Sequence, residues 1–104
     1  MDTQAIKHEL DAVEDMADKI LSAALRDTPP PELKTAADKF HALVGAKREL
    51  NDEAALKQAV MDVESSADQL VAQCKQTGHG GNELRQAIQD AHSKASALKH
   101  QLRV

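Results

Sequence analysis

The sequence predicts an all-α protein, an antiparallel up-down-up-down four-helix bundle that is a pseudo-repeat of two helical hairpins. Three observations predict it: apolar residues recur at helical spacing, breaks separate the helical segments, and one pattern is written twice. A chain of 104 residues has the size of one domain. We therefore expect a single bundle over residues 1–104, with one hairpin in residues 1–51 and the other in residues 52–104.

Apolar residues at alternating steps of four and three predict one buried stripe on each of three helices. In the first helical segment the stripe consists of Ile6, Leu10, Val13, Ala17, Ile20 and Ala24. The same steps recur in Leu56, Val60, Val63, Ala67, Leu70 and Cys74, and again in Leu84, Ile88, Ala91, Ala95, Leu98 and Leu102. Each stripe spans about 27 Å at 1.5 Å per residue, and equal lengths favour an antiparallel bundle.

Two of the three breaks between the helical segments are strong. Residues 29–31 are three prolines, which cannot lie inside a helix, although the last of them suits a first turn. Gly78 can end one helix and Asn82 can cap the next. The third break has no Gly or Pro, and only Asn51 stands there as a candidate N-cap. An alternative therefore stays open, in which residues 31–76 form one long helix and a second copy completes the core.

A shift of fifty residues aligns the first helical segment with the third, and a shift of fifty-one aligns the second with the fourth. The polar matches include Lys7 with Lys57, Glu14 with Glu64, Asp18 with Asp68 and His41 with His92. Heptad packing requires the apolar matches but not these polar ones. The polar matches therefore predict a tandem repeat of one helical hairpin. Chance similarity between amphipathic helices of simple composition is the alternative.

The helical segments alternate in charge. Residues 1–27 hold seven acids and three bases, and residues 52–77 hold five and two. Residues 28–51 hold three acids and four bases, and residues 78–104 hold two and four. In an up-down-up-down bundle, neighbouring helices would then have net charges of opposite sign. This favours that order over one that places acidic helices side by side.

Composition excludes several classes of partner. The formal charge of −4 opposes binding to a phosphate backbone, and Phe40 is the only aromatic side chain, so bases have no stacking platform. No apolar stretch approaches the length of a membrane span. Cys74 is the only cysteine, so no internal disulfide can form. We expect a cytoplasmic protein with no nucleic-acid partner, no membrane partner and no cofactor.

The leading functional hypothesis is a non-enzymatic helical module that binds a protein partner or forms a homodimer. The sequence has no Ser, His and acid constellation and no phosphate-binding loop, so we expect no enzyme. Its candidate contacts are apolar residues outside the stripes: Leu25, Leu43, Leu50 and Met61. The alternative for such residues is half-burial beside the core, as is common in helical bundles.

The alternative function is a small ligand-sensing or metal-binding bundle. Lys47 falls at the stripe position that Leu98 has in the last helix, which makes it the candidate ligand contact unless its amine reaches solvent past the end of the bundle. His41 and His92 are weak metal candidates, because the chain has no HxxxH and no paired Glu-x-x-His motif. Asp38 lies three residues before His41, but on the predicted outer face. We therefore expect no metal site.

Overall fold

The computed structural model describes residues 2–27, 30–46, 49–77 and 82–102. Within these ranges the chain forms four α-helices: α1 (Thr3–Asp27), α2 (Pro31–Ala46), α3 (Glu53–Thr77) and α4 (Asn82–Leu102). They pack into a bundle with principal extents of 38 × 23 × 18 Å. The predicted all-α fold with four bundled helices is confirmed.

Aspartate side chains cap the first turns of α1 and α3. The amide of Ala5 donates to Asp2 Oδ1 at 2.8 Å, and the amide of Ala55 donates to Asp52 Oδ2 at 3.0 Å. Each bond satisfies an amide that has no partner inside the helix. The cap of α3 is therefore Asp52, one residue later than the predicted Asn51.

Proline begins α2, as its position after two further prolines predicts. The amides of Leu33 and Lys34 both donate to the carbonyl of Pro30 at 3.1 Å. Pro31 stands at the first helical position, where its missing N–H leaves no helical hydrogen bond unmade.

The break between α2 and α3 is real, although neither glycine nor proline enforces it. The first of these helices ends at Ala46 and the second begins at Glu53, so residues 31–76 are two helices and not one. Asn51 lies between them and accepts a hydrogen bond from Lys7 Nζ at 2.6 Å. This bond attaches the connecting segment to α1, which favours a chain that turns back over one that continues straight.

The predicted stripes form the hydrophobic core. Every stripe residue of α1 and α3 is buried, and so are those of α4 except Leu102, which is half-buried. The second helix contributes Leu33, Ala37, Phe40 and Val44. Ala23 and Ala59 are also buried, although they lie outside the predicted stripes. Phe40 is the largest fully buried side chain among the described residues, so it fills the most volume in the core.

The helices pack in a ring, α1 against α2, α2 against α3, α3 against α4 and α4 against α1. Between α1 and α4, the early residue Glu9 pairs with the late residue Lys94, whereas the late residue Arg26 pairs with the early residue Glu83. These two helices therefore run in opposite directions. The pairs agree with the predicted up-down-up-down order, which stays a prediction, as does the tandem repeat.

Gly45 lies near the end of α2 with room for a side chain. A Cβ at this position would have Glu14 Oε2 as its nearest neighbour, at 3.6 Å, which is an ordinary van der Waals distance. Among the described residues, no neighbouring backbone comes close enough to require glycine here. Gly45 therefore carries the usual cost of glycine in a helix, about 1 kcal/mol relative to alanine.

Candidate functional site

The four predicted partner contacts divide into two pairs. Leu25 is 74% exposed and Met61 is 47% exposed, so both face solvent as predicted. Leu43 and Leu50 are half-buried and pack against the hydrophobic core. Part of the apolar surface of these two side chains is thus buried within the bundle.

Leu25 and Met61 do not belong to one patch. The residue after Leu25 pairs with Glu83 at the start of α4. The residue three positions after Met61 pairs with Lys99, sixteen residues further along α4. At 1.5 Å per residue this separation is about 24 Å, so the two side chains lie towards opposite ends of the bundle.

A groove open to solvent runs between α2 and α3, and we call it the α2–α3 groove. Its walls on α2 are Ala36, Lys39, Ala42, Leu43 and Ala46. Its walls on α3 are Asp62, Ser65, Ser66, Gln69 and Ala72. The groove has two parts that share Lys39 and Gln69, so it is continuous, and it reaches Pro31 at the start of α2. Glu32, Thr35 and Gln73 also line it, and alanine and serine supply six of its fourteen lining residues.

Ion pairs or histidine–aspartate hydrogen bonds cross the other three faces of the bundle. The crossing pairs are His41 with Asp18 between α1 and α2, His92 with Asp68 and Lys99 with Glu64 between α3 and α4, and Arg26 with Glu83 and Lys94 with Glu9 between α1 and α4. Among the residues that the structure describes, no ion pair joins α2 to α3. A second groove, between α1 and α4, is crossed by the ion pair of Arg26 with Glu83, whereas no such pair between described residues crosses the α2–α3 groove.

Each hairpin has one histidine–aspartate pair that connects its two helices. His41 Nε2 lies 2.6 Å from Asp18 Oδ1, and His92 Nε2 lies 2.5 Å from Asp68 Oδ1. The two pairs are equivalent in the repeat alignment, in which Asp18 matches Asp68 and His41 matches His92. Asp38 instead accepts a bond from Lys34 at 3.3 Å on its own helix, so it is not the carboxylate that meets His41.

The second of these pairs belongs to a larger polar cluster between α3 and α4. Glu64, Asp68 and His92 each direct one potential metal-ligand atom into it, and the three atoms lie within 4.8 Å of one another. Lys99 Nζ also reaches this cluster, at 3.2 Å from Glu64 Oε2. No other group of three such side chains comes as close in the described parts of the chain.

Sequence reasoning singled out the two histidines but missed their partners. Asp18 and Asp68 appeared only as matched positions of the repeat, and so did Glu64. The useful signal was that the same acids and the same histidine recur in both hairpins, although packing does not require them. Polar residues duplicated on two adjacent helices indicate a contact between those helices.

Three further predictions concern residues or properties beyond this cluster. Lys47, the candidate ligand contact, lies outside the described residues, so its role stays a prediction. Cys74 lies in the core, consistent with its stripe position. Among the described helices, none combines the length and the apolar character that crossing a bilayer requires.

No protein-family model, curated protein or solved structure matches this chain. The function is therefore inferred from the chain's own residues.

Proposed function

We propose that the chain is a non-enzymatic helical module that binds another protein, and that it takes an amphipathic helix of that protein into the α2–α3 groove. One observation carries the proposal. The α2–α3 groove is continuous, six of its fourteen lining residues are alanine or serine, and no ion pair between described residues crosses it, whereas ion pairs or histidine–aspartate hydrogen bonds cross the other three faces.

The shape of the groove favours a helix as the ligand. From Pro31 to Ala46 the groove follows α2 for about 23 Å, which is the length of roughly four helical turns. Alanine and serine walls allow a third helix to approach closely, since helix axes that pack in contact lie about 8–10 Å apart. A helix laid between two others buries its apolar stripe in the groove, as in other helix-in-groove complexes.

Apolar and charged residues of the groove define what the partner must carry. Leu43 presents part of its side chain in the groove, and Met61 is exposed one turn before the lining residue Ser65. Lys39 lies where the two parts of the groove meet and has no ion-pair partner among the described residues. The expected partner helix therefore has an apolar stripe with an acidic residue near its middle.

The test uses a photo-reactive side chain in place of Ala42 in the groove. The matched control places the same group at Ser22, an exposed residue that lines the groove between α1 and α4. Both variants are irradiated in lysate of the source cell, and the cross-linked peptides are identified by mass spectrometry. Binding of the captured protein is then measured with Ala42→Glu and Ser22→Glu.

The proposal predicts cross-links from position 42 to a helical peptide of one partner, and at least about tenfold weaker binding of that partner by Ala42→Glu, because a buried unpaired carboxylate is costly in an interface. Ser22→Glu should bind normally. Equal effects of the two substitutions, or no protein captured from position 42, would overturn the proposal. Cross-links from position 42 to a second copy of the chain would replace the partner helix by a homodimer.

A further inference from the structure

We infer that Glu64, Asp68 and His92 bind one divalent transition-metal ion of the zinc class at the edge of the α3–α4 interface. The inference is independent of the partner proposed above, because it concerns a different pair of helices. The sequence alone predicted no metal site and offered His92 only as a weak candidate, since the two carboxylates that accompany it become visible only when α3 and α4 are placed side by side.

The geometry of the cluster suits a coordinated ion. Glu64 and Asp68 are one helical turn apart on α3, and His92 faces them from α4. Their ligand atoms lie within 4.8 Å of one another. Ligand bonds of about 2.0–2.2 Å place ligand atoms roughly 3.0–3.5 Å apart around a zinc ion. Changes in side-chain torsion angles that move the ligand atoms by about 1 Å would therefore complete the site.

The chemical type of the three ligands selects the ion. One imidazole and two carboxylates suit zinc and its neighbours in the first transition row, whereas magnesium and calcium prefer oxygen ligands alone. The side chain of Glu64 is only 13% exposed and that of His92 is 29% exposed, but that of Asp68 is 55% exposed. The site is thus held on its inner side and open to water on its outer side, which leaves room for solvent to complete the coordination.

Lys99 competes with the ion for Glu64. Its ammonium lies 3.2 Å from Glu64 Oε2, where it neutralises the carboxylate. The side chain of Lys99 is long and 26% exposed, so it can turn into solvent when an ion binds. Removal of this competing charge should therefore tighten metal binding, an effect that a purely structural role for the cluster does not produce.

The first hairpin supplies an internal control. Glu14, Asp18 and His41 occupy the matched positions, and His41 Nε2 lies 2.6 Å from Asp18 Oδ1. Glu14, however, is buried with Oε2 beside Gly45, and these three residues do not come within the same coordinating distance. The two hairpins thus carry the same ligand types, but only the second brings all three together.

The experiment is a calorimetric titration of the full chain with zinc, repeated with His92→Gln, His41→Gln and Lys99→Met. The visible absorption of bound cobalt serves as a second reading, because it reports the coordination of the ion. Circular dichroism verifies that each variant is folded. We expect one ion per chain, at least about tenfold weaker binding by His92→Gln, and unchanged binding by His41→Gln.

Lys99→Met should bind zinc roughly two- to fivefold more tightly, the range expected when a partly exposed ion pair no longer competes. Absence of zinc binding by the unaltered chain at millimolar metal would overturn the inference. Equal weakening by His41→Gln and His92→Gln would also overturn it, because binding would then follow histidine content and not the cluster.

Discussion

Replacement of Gly45 by alanine should stabilise the bundle, and the expected size of the effect follows from the surroundings of this residue. Gly45 lies within α2, where glycine costs about 1 kcal/mol relative to alanine because its backbone loses more freedom on folding. Within the part of the chain that the structure describes, the added Cβ would meet only Glu14 Oε2, at 3.6 Å, so no steric cost there offsets the gain. In the second hairpin the matched position already carries a side chain, that of Ser96. We expect the free energy of unfolding to rise by about 0.5–1 kcal/mol.

Thermal and urea denaturation followed by circular dichroism measure this change. A gain of that size corresponds to an increase in Tm of about 2–5 °C for a domain of this length. The matched control is Ala42→Gly, at an exposed position one turn earlier in α2, which should lower the free energy of unfolding by about 1 kcal/mol. A lower Tm for Gly45→Ala, alongside the expected loss in the control, would show that the environment of Glu14 requires glycine and would refute the reasoning.

Two further substitutions test the core and the helix cap. Phe40→Ala removes the largest fully buried side chain, so the free energy of unfolding should fall by about 3–5 kcal/mol in urea denaturation, and a loss below about 1 kcal/mol would mean that the core collapses into the space. Asp52→Ala removes the hydrogen bond to the amide of Ala55 and should cost about 1 kcal/mol. Asn51→Ala, measured in the same way, should lower the free energy of unfolding by less than Asp52→Ala does. A larger loss for Asn51→Ala would mean that Asn51 is the cap.

The core was predictable because its signal is local in the sequence. A stripe such as Ile6, Leu10 and Val13 lies on one face of a helix whatever the neighbouring helices do, so periodicity identified most of the buried residues of α1, α3 and α4. It gave no stripe for α2, whose buried residues include Phe40. The cap was less predictable. Asn51 and Asp52 are adjacent and both suit the position, and the choice depends on where the turn from α2 ends.

The polar contacts were not predictable from any single helix. The approach of His41 to Asp18 depends on how α1 and α2 are rotated and shifted relative to each other, which periodicity does not fix. The α2–α3 groove is harder still to predict, because what distinguishes it is that no ion pair between described residues joins α2 to α3. Such a feature becomes visible only when all the interhelical pairs of the described chain are known together.

The ring of helices has a consequence for how the chain folds. The pair of His41 with Asp18 and the pair of His92 with Asp68 close loops of 23 and 24 residues, whereas the pair of Arg26 with Glu83 closes one of 57. Three of the four interfaces in the ring thus join helices that are consecutive in the chain. The extra entropy of closing the longer loop grows only with the logarithm of its length. Helical bundles, in which local contacts dominate, fold in about microseconds to milliseconds, and we expect the same range for this chain.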